Sequence, residues 1–240
     1  MIRDLAKLLL SYGIVFPRNA LNGYLEWSLI KDVITSLEIN CVLDVGANIG
    51  RYSRNLRKIG YRGYILAFEP VREAFTAMRK SLEQDPSWQG YNFALGSENT
   101  TQTINVPVVS TAMSSFLNPT NFNCEIRQEL VEVKRLDTII DDLLQNIKSP
   151  RLFMKLDTQG WDVEVIKGAE GCIDRILGIQ SEVAVEHNYR GMPHYLEALR
   201  LYEQLGFRLA GISEVARNPQ AGNIVELNCV LVRSPVSVHG

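Results

Sequence analysis

The stretch Val42 to Gly50, VLDVGANIG, constrains the fold of this chain more than any other. A short apolar run ends at Asp44. Gly46, Ala47, Asn48 and Gly50 follow, and a helical pattern begins at once. That order predicts a strand, a tight turn and a helix start, the opening unit of a nucleotide-type α/β domain. Gly46 and Gly50 let the backbone turn sharply and approach a ligand that a side chain would block. The new helix N-terminus offers free N–H groups and a positive dipole end to a carboxylate or phosphate. A dinucleotide fingerprint would read G-x-G-x-x-G; here Asn48 stands at the middle glycine, so that fingerprint fails.

What remains, D-x-G-x-N-x-G, looks like the first motif of S-adenosylmethionine-dependent methyltransferases, in which the turn wraps the amino-acid end of the cofactor. A second signal strengthens the likeness. Tyr64–Phe68 (YILAF) reads as the next strand and ends in Glu69 and Pro70. An acid at the tip of the second strand can accept both ribose hydroxyls of an adenosine. The alternative for Glu69 is a solvated carboxylate ahead of a Pro-led helix start.

The 240 residues suffice for one large domain, or for one domain with a small extension, and a 46% hydrophobic content supports a real core. A formal net charge of −2 gives no electrostatic case for gripping nucleic acid or an anionic membrane. Cys41, Cys124, Cys172 and Cys229 are scattered without a C-x-x-C, so single thiols in a reducing cytoplasm are expected rather than zinc or disulfides. The apolar stretch Leu5–Phe16 is too short for a membrane span and is broken by Gly13 and Pro17. An amphipathic helix packed on the domain is expected there, and a second helix, capped by Asn19, should carry Leu21, Leu25, Leu29 and Val33 on one face.

Further along, Tyr52, Leu56 and Ile59 mark one helix face, and Val71, Phe75, Met78 and Leu82 another. Tyr91–Leu95 reads as a third strand, and Asn92, Ala94 and Leu95 are candidates for the adenine rim. Thr101–Val109 alternates like an exposed strand, Ser110–Asn123 reads as a loop, and Leu130–Val133 as a short strand. This block breaks the β-α alternation, as an antiparallel insertion at the sheet edge reaching the site's mouth would. Arg151–Leu156 leads to Asp157 at a fourth strand tip, and Gly178–Val185 is a fifth strand containing Glu182. Phe207–Ile212 and Ile224–Val232 suit an antiparallel pair joined by a polar loop, Ser213–Asn223.

From Val42 to Val232 the chain resembles the FkbM family of methyltransferases. The resemblance rests on DVGANIG at 44–50, FEP at 68–70, ALG at 94–96, the V-x-V…LD pattern at 131–137 and KLDTQGWDVEVIKGAE at 155–170. Two departures stand out: Gln159-Gly160 where members often have Glu-Gly, and Asn228 where many have an acid. The resemblance implies a class I methyltransferase (Rossmann-like) α/β three-layer sandwich, with a seven-stranded, mostly parallel sheet ending in an antiparallel pair. Residues 1–39 would be a helical extension and 40–240 the S-adenosylmethionine-binding domain. It also implies that cofactor, and O-methylation of a hydroxyl on a sugar, glycan or natural product. The expected cofactor-binding residues are Asp44, Gly46, Asn48, Gly50, Glu69, Asn92, Ala94 and Asp157.

A neutral hydroxyl is a poor nucleophile and needs a base or a divalent ion. Asp157 is the best-placed acid, its alternative role being a cap for the following helix. Glu182 could be a second acid or half of an ion pair, His187 a base or a plain loop residue, and Lys155 a partner for a nearby acid. Trp161 could pack on substrate or on core. A metal requirement and self-association stay open. A dehydrogenase is disfavoured by the missing fingerprint, a non-catalytic scaffold by the intact Asp44, Gly46, Glu69 and Asp157. A nucleic-acid methyltransferase is disfavoured because Asn218-Pro219-Gln220 breaks the Asn/Asp-Pro-Pro-aromatic motif. The N-terminal helices and the Ser110–Asn123 loop should form a mobile cover over the entrance that carries acceptor specificity.

Overall fold

The computed structural model describes residues 11–15, 17–120 and 124–233. Much of the apolar stretch Leu5–Phe16 and residues 121–123 of the expected loop lie outside the described residues. Helix α1 spans Arg18–Ser36, and its N-cap is Pro17, not Asn19. Proline's fixed φ and missing N–H suit it to a helix entrance, and Asn19 falls inside the first turn. No described helix is long and apolar enough to cross a membrane.

The main sheet holds β1 (Cys41–Val45), β2 (Tyr64–Phe68), β3 (Trp88–Tyr91), β7 (Leu152–Leu156), β8 (Ile176–Ala184), β9 (Phe207–Arg217) and β10 (Ile224–Arg233) in the order β3-β2-β1-β7-β8-β10-β9. All neighbours are parallel except β10, which runs against both β8 and β9. The chain winds outward from β1 to β3 and then crosses to β7. The order therefore reverses between β1 and β7, and their carboxyl ends open the crevice where ligands bind in such sheets.

Alternate residues of each strand face opposite layers. Leu43, Val45, Met154, Leu156 and Ile179 pack under helices α4 (Leu136–Leu144), α5 (Asp162–Gly168) and α6 (Tyr195–Gln204). Val42, Ile65, Phe153 and Val230 pack under α1 and α2 (Arg51–Lys58). Helix α3 (Arg72–Leu82) lies over Ala67 on this second face and also touches a separate three-stranded sheet. That sheet, ordered β4-β6-β5, contains β4 (Ala94–Leu95), β5 (Thr100–Pro107) and β6 (Ile126–Lys134).

The insertion is thus its own sheet rather than an edge of the main one. Tyr91–Leu95 is not one strand: β3 ends at Tyr91, and Ala94–Leu95 pairs with Val133–Lys134. The run reads as one mostly apolar strand because its two halves pack against different partners, with Asn92 at the break between them. Strand β9 also continues to Arg217, through residues expected as loop, because Ser213 and Glu214 pair with Asn228 and Leu227.

Candidate functional site

The turn after β1 is shaped by the protein's own backbone before any ligand arrives. The N–H groups of Gly46 and Ala47 both donate to the Phe68 carbonyl, at 3.0 Å each. Gly46 has φ +75°, and a Cβ there would lie 2.0 Å from the Asp157 carbonyl oxygen. This position needs glycine because β7's tip abuts it. Asn48 takes the left-handed φ of +47°, which Asn tolerates better than most residues. Its N–H donates to Glu69 Oε2 at 2.8 Å, and its side chain donates to Thr111 Oγ1 at 3.0 Å. Gly50 does something other than expected. A Cβ there would meet Leu82 Cδ1 at 2.7 Å and Met78 Cγ at 2.9 Å, so it lets α2 approach α3 and lines neither pocket described below.

Glu69 is buried at the tip of β2. Oε2 accepts from Asn48 N–H and Oε1 from Val71 N–H, each at 2.8 Å. The carboxylate therefore staples two turns together. It also lines a pocket with about 580 Å³ of open space, walled by Phe68, Ala94, Leu95, Phe116 and Trp161. Phe116 and Trp161 pack with ring centroids 4.8 Å apart. Asn92 stands behind this wall. Its amide donates to the carbonyls of Glu69 and Pro70, at 2.9 Å each, so it braces the strand tip and is not itself among the lining residues.

Burial pushes the Glu69 carboxyl from 4.5 up to about 7, against the pull of the Val71 and Asn48 N–H groups. The native state thus holds this proton more tightly than the unfolded chain. Its effect on stability is absent below pH 4.5, grows between 4.5 and 7, and then levels off as a loss of about 3 kcal/mol. Denaturant titrations of the ligand-free protein should show wild type losing stability across that window by more than Glu69→Gln. Equal pH profiles would refute the assignment. An ionised Glu69 is the better ribose acceptor, so cofactor affinity should rise through the same window.

A second, open cleft of about 2880 Å³ adjoins this pocket. Its floor is a polar stripe on the α1–α3 face of the sheet. Asp44, Lys155 and Gln180 stand in one register row, and Glu182 pairs with Asn228 beyond it. Lys155 is 6% exposed, with Nζ 2.6 Å from Asp157 Oδ2. Burial opposes its charge, but the Asp157 and Glu182 carboxylates outweigh burial and hold it above the ordinary lysine range. Gln159 reaches Asp157 Oδ1 at 3.1 Å and Glu182 Oε1 at 3.3 Å. Burial, reinforced by Asp157, raises Glu182 well above the usual carboxylate range.

Asp157 does not cap α5. No side chain caps this helix; Asp162, its first residue, reaches back to accept from the Thr158 N–H at 3.1 Å and across to accept from the Ser181 hydroxyl at 2.8 Å. His187 is not brought to the cluster: it is exposed, lines neither space, and packs 5.9 Å from the His194 ring. Among the described residues, no group of three or more His, Cys, Asp and Glu side chains is arranged to hold a metal ion.

Several site residues escaped the sequence reading. Glu26 of α1 accepts from Gln180 Nε2 at 2.6 Å and Asn228 Nδ2 at 2.8 Å, and burial raises its pKa. Tyr52, read as core, donates to Gln180 Oε1 at 2.8 Å. Period-two alternation with Glu182 was the one sequence signal for Gln180. The 3-10 turn Thr111–Met113 lies inside the Ser110–Asn123 segment expected to cover the entrance, but nothing in the sequence singles out its residues. Yet Thr111 and Ala112 line both spaces, as do Gly46, Asn48 and Asp157. The covering segment is tied down: Ser115 donates to the Gln159 carbonyl at 2.7 Å, and Tyr189 donates to the Met113 carbonyl at 2.9 Å.

The residues fit the expected S-adenosylmethionine. Asp44 is buried; Oδ2 accepts from the Ser53 hydroxyl at 2.8 Å, while Oδ1 has no partner. A buried carboxylate oxygen left unpaired is costly, and an ammonium such as the cofactor's would supply the missing donor. Glu69 spends one lone pair of each oxygen on backbone N–H groups, and a carboxylate keeps about two more for ribose hydroxyls.

The sequence model of the methyltransferase FkbM domain matches residues 44–209. A putative S-adenosylmethionine-dependent methyltransferase from Listeria monocytogenes superposes with a TM-score of 0.50 at 9% identity, covering 91% of this chain and 99% of its own. Magnesium protoporphyrin IX methyltransferase from Synechocystis PCC 6803, solved with bound S-adenosylmethionine, gives 0.49 at 9% identity, covering 90% and 82%. At such identity the likeness to the Listeria structure shows a shared fold alone. No curated protein matches the sequence.

Proposed function

The chain belongs to the FkbM methyltransferase family, and from that premise we propose that it is an O-methyltransferase acting on a hydroxyl of a sugar or natural product. S-adenosylmethionine is the methyl donor; when bound, it supplies an electrophilic methyl on a sulfonium. One observation carries the reading. The Glu69 pocket and the open cleft share a wall of Gly46, Asn48, Thr111, Ala112 and Asp157. Among the described lining residues, Asp157 is the only acid common to both.

The roles follow from the positions. Glu69 holds the ribose, Ala94 and the Phe116–Trp161 pair enclose the adenine, and Asp44 takes the ammonium. The acceptor lies in the open cleft, over the polar stripe. Asp157 takes the hydroxyl proton through a carboxylate that Lys155 and Gln159 hold in place. Glu182, with its raised pKa, is suited to keep a proton and donate to an acceptor oxygen. The N-terminal helix is an extension that supplies Glu26 to this cleft. Displacement in line with the leaving sulfur needs mostly positioning and exclusion of water.

The test is incubation with S-adenosylmethionine carrying a deuterated methyl group and a panel of hydroxylated acceptors. Mass spectrometry and NMR should place the label on oxygen. Label on nitrogen or carbon would overturn the oxygen assignment, and bound cofactor without transfer to any acceptor would favour a non-catalytic role.

A further inference from the structure

Tyr189, in the turn after β8, is 1% exposed, and the chemistry described so far gives its hydroxyl no part. Burial, reinforced by the Glu226, Asp157 and Glu182 carboxylates, pushes the phenol above its ordinary range. It therefore keeps its proton and stays a donor. Two acceptors lie within reach, the Met113 carbonyl at 2.9 Å and Gln159 Oε1 at 3.1 Å. A phenol has one proton, so the two carbonyls share it.

The backbone of Gln159 is fixed before its side chain is. Gln159 and Gly160 take left-handed φ values of +52° and +90° in succession. The buried Ser115 hydroxyl donates to the Gln159 carbonyl at 2.7 Å. A Cβ at Gly160 would stand 2.8 Å from Met192 Cγ and 3.0 Å from Leu117 Cδ1. The loop is thus clamped between the covering segment and residues 189–192. From there the carboxamide spans a fixed gap: Oε1 faces Tyr189, and Nε2 lies 3.1 Å from Asp157 Oδ1 and 3.3 Å from Glu182 Oε1. Its two N–H groups suffice for one bond to each acid. The two ends of a carboxamide have nearly the same shape, so hydrogen bonding decides which end faces the acids. Turned round, the amide oxygen would stand against the Asp157 carboxylate. The phenol proton opposes that rotation by giving Oε1 a donor on the far side.

Resting on the reading of Asp157 as the base, we propose that Tyr189 is a positioning residue for methyl transfer. Its hydroxyl holds the Gln159 oxygen so that the amide nitrogen bridges Asp157 and Glu182, and through Met113 it ties that alignment to the covering turn Thr111–Met113. Asp157 then meets the acceptor with one oxygen held by Lys155 and the other by Gln159. Each oxygen keeps a further lone pair for the acceptor's hydroxyl. Glu182 is held beside it by the same amide.

NMR of the full chain, isotopically labelled at its glutamine side-chain nitrogens, reads the alignment without any ligand. Gln159→Ala identifies the two amide proton signals by deleting them. Both should lie downfield of free glutamine. Asp157→Asn should move one of them and Glu182→Gln the other. Tyr189→Phe keeps the ring and should return both toward the free position. A pair unmoved in Tyr189→Phe, or a pair that neither acid variant moves, overturns the proposal. Should Tyr189→Phe not fold, replacing tyrosine throughout by a ring-fluorinated tyrosine, a stronger donor, should move both signals further downfield. An unmoved pair there overturns it equally. With the acceptor that takes the labelled methyl, Tyr189→Phe should lower kcat roughly two- to tenfold, the worth of one neutral hydrogen bond, and leave S-adenosylmethionine affinity unchanged. Added to Gln159→Ala, it should cost nothing more. Losses that multiply would give Tyr189 a route other than Gln159 and refute the assignment. Near-normal turnover of Asp157→Asn, with the amide signals responding as expected, removes Asp157 as the base and leaves the alignment standing.

Discussion

Asp157→Asn should lower turnover about a hundredfold or more at saturating cofactor, the scale of a lost general base. Asparagine keeps the shape of the side chain and can still accept from Gln159, so the loss should fall on kcat rather than on cofactor affinity. Its amide would face the Lys155 ammonium, 2.6 Å away in the native pair, so thermal stability should be measured alongside turnover. Treating wild type with chelator is the second arm. Full loss on chelation, restored by magnesium, would transfer the role to a metal ion. Near-normal turnover of Asp157→Asn would leave Asp157 as a structural partner of Lys155. Glu182→Gln would then be the next variant, since Glu182 shares Gln159 with Asp157.

Glu69→Ala should weaken S-adenosylmethionine binding by roughly ten- to a hundredfold, the worth of about 1.5–3 kcal/mol of hydrogen bonding to a charged group. It should also destabilise the ligand-free protein. The N–H groups of Asn48 and Val71 would lose their acceptor, and an unsatisfied buried donor costs about 1–3 kcal/mol. Part of that cost is offset at neutral pH by removing a buried carboxylate. Calorimetry of binding and denaturant titration separate the two effects. Full affinity in Glu69→Ala would remove Glu69 from the ribose site and leave it as the staple between the Asn48 turn and α3.

The two predictions differ in how much of their basis lies in the sequence. Glu69 as a ribose candidate is legible there. An apolar run ending in Glu-Pro, twenty-odd residues after a D-x-G turn, is a local pattern, and local patterns survive folding. Its second job is not legible, because the Asn48 N–H reaches Glu69 only once β1 and β2 lie side by side in register. Gly50 and Asn92 show the converse. Their positions beside a motif made them ligand candidates, yet one meets Met78 and Leu82 and the other braces the backbone of Glu69 and Pro70.

The family resemblance, the seven-strand α/β architecture and the cofactor follow from the sequence by itself. The resemblance rests on short motifs whose chemistry is carried within a few residues, and the seven-strand architecture and the cofactor are what that resemblance implies. Tertiary structure alone assembled the cleft proposed for the acceptor. Glu26, Tyr52, Lys155, Gln180 and Asn228 come from five elements spread over some two hundred positions, and no spacing in the chain links them. They meet because parallel pairing sets Asp44, Lys155 and Gln180 in one row, antiparallel β10 sets Asn228 opposite Glu182, and α1 crosses above them. His187, a reasonable candidate base by residue type, was carried away by the same geometry to an exposed loop. Pairing register is a property of two strands together, and that is why the chain read singly could not contain it.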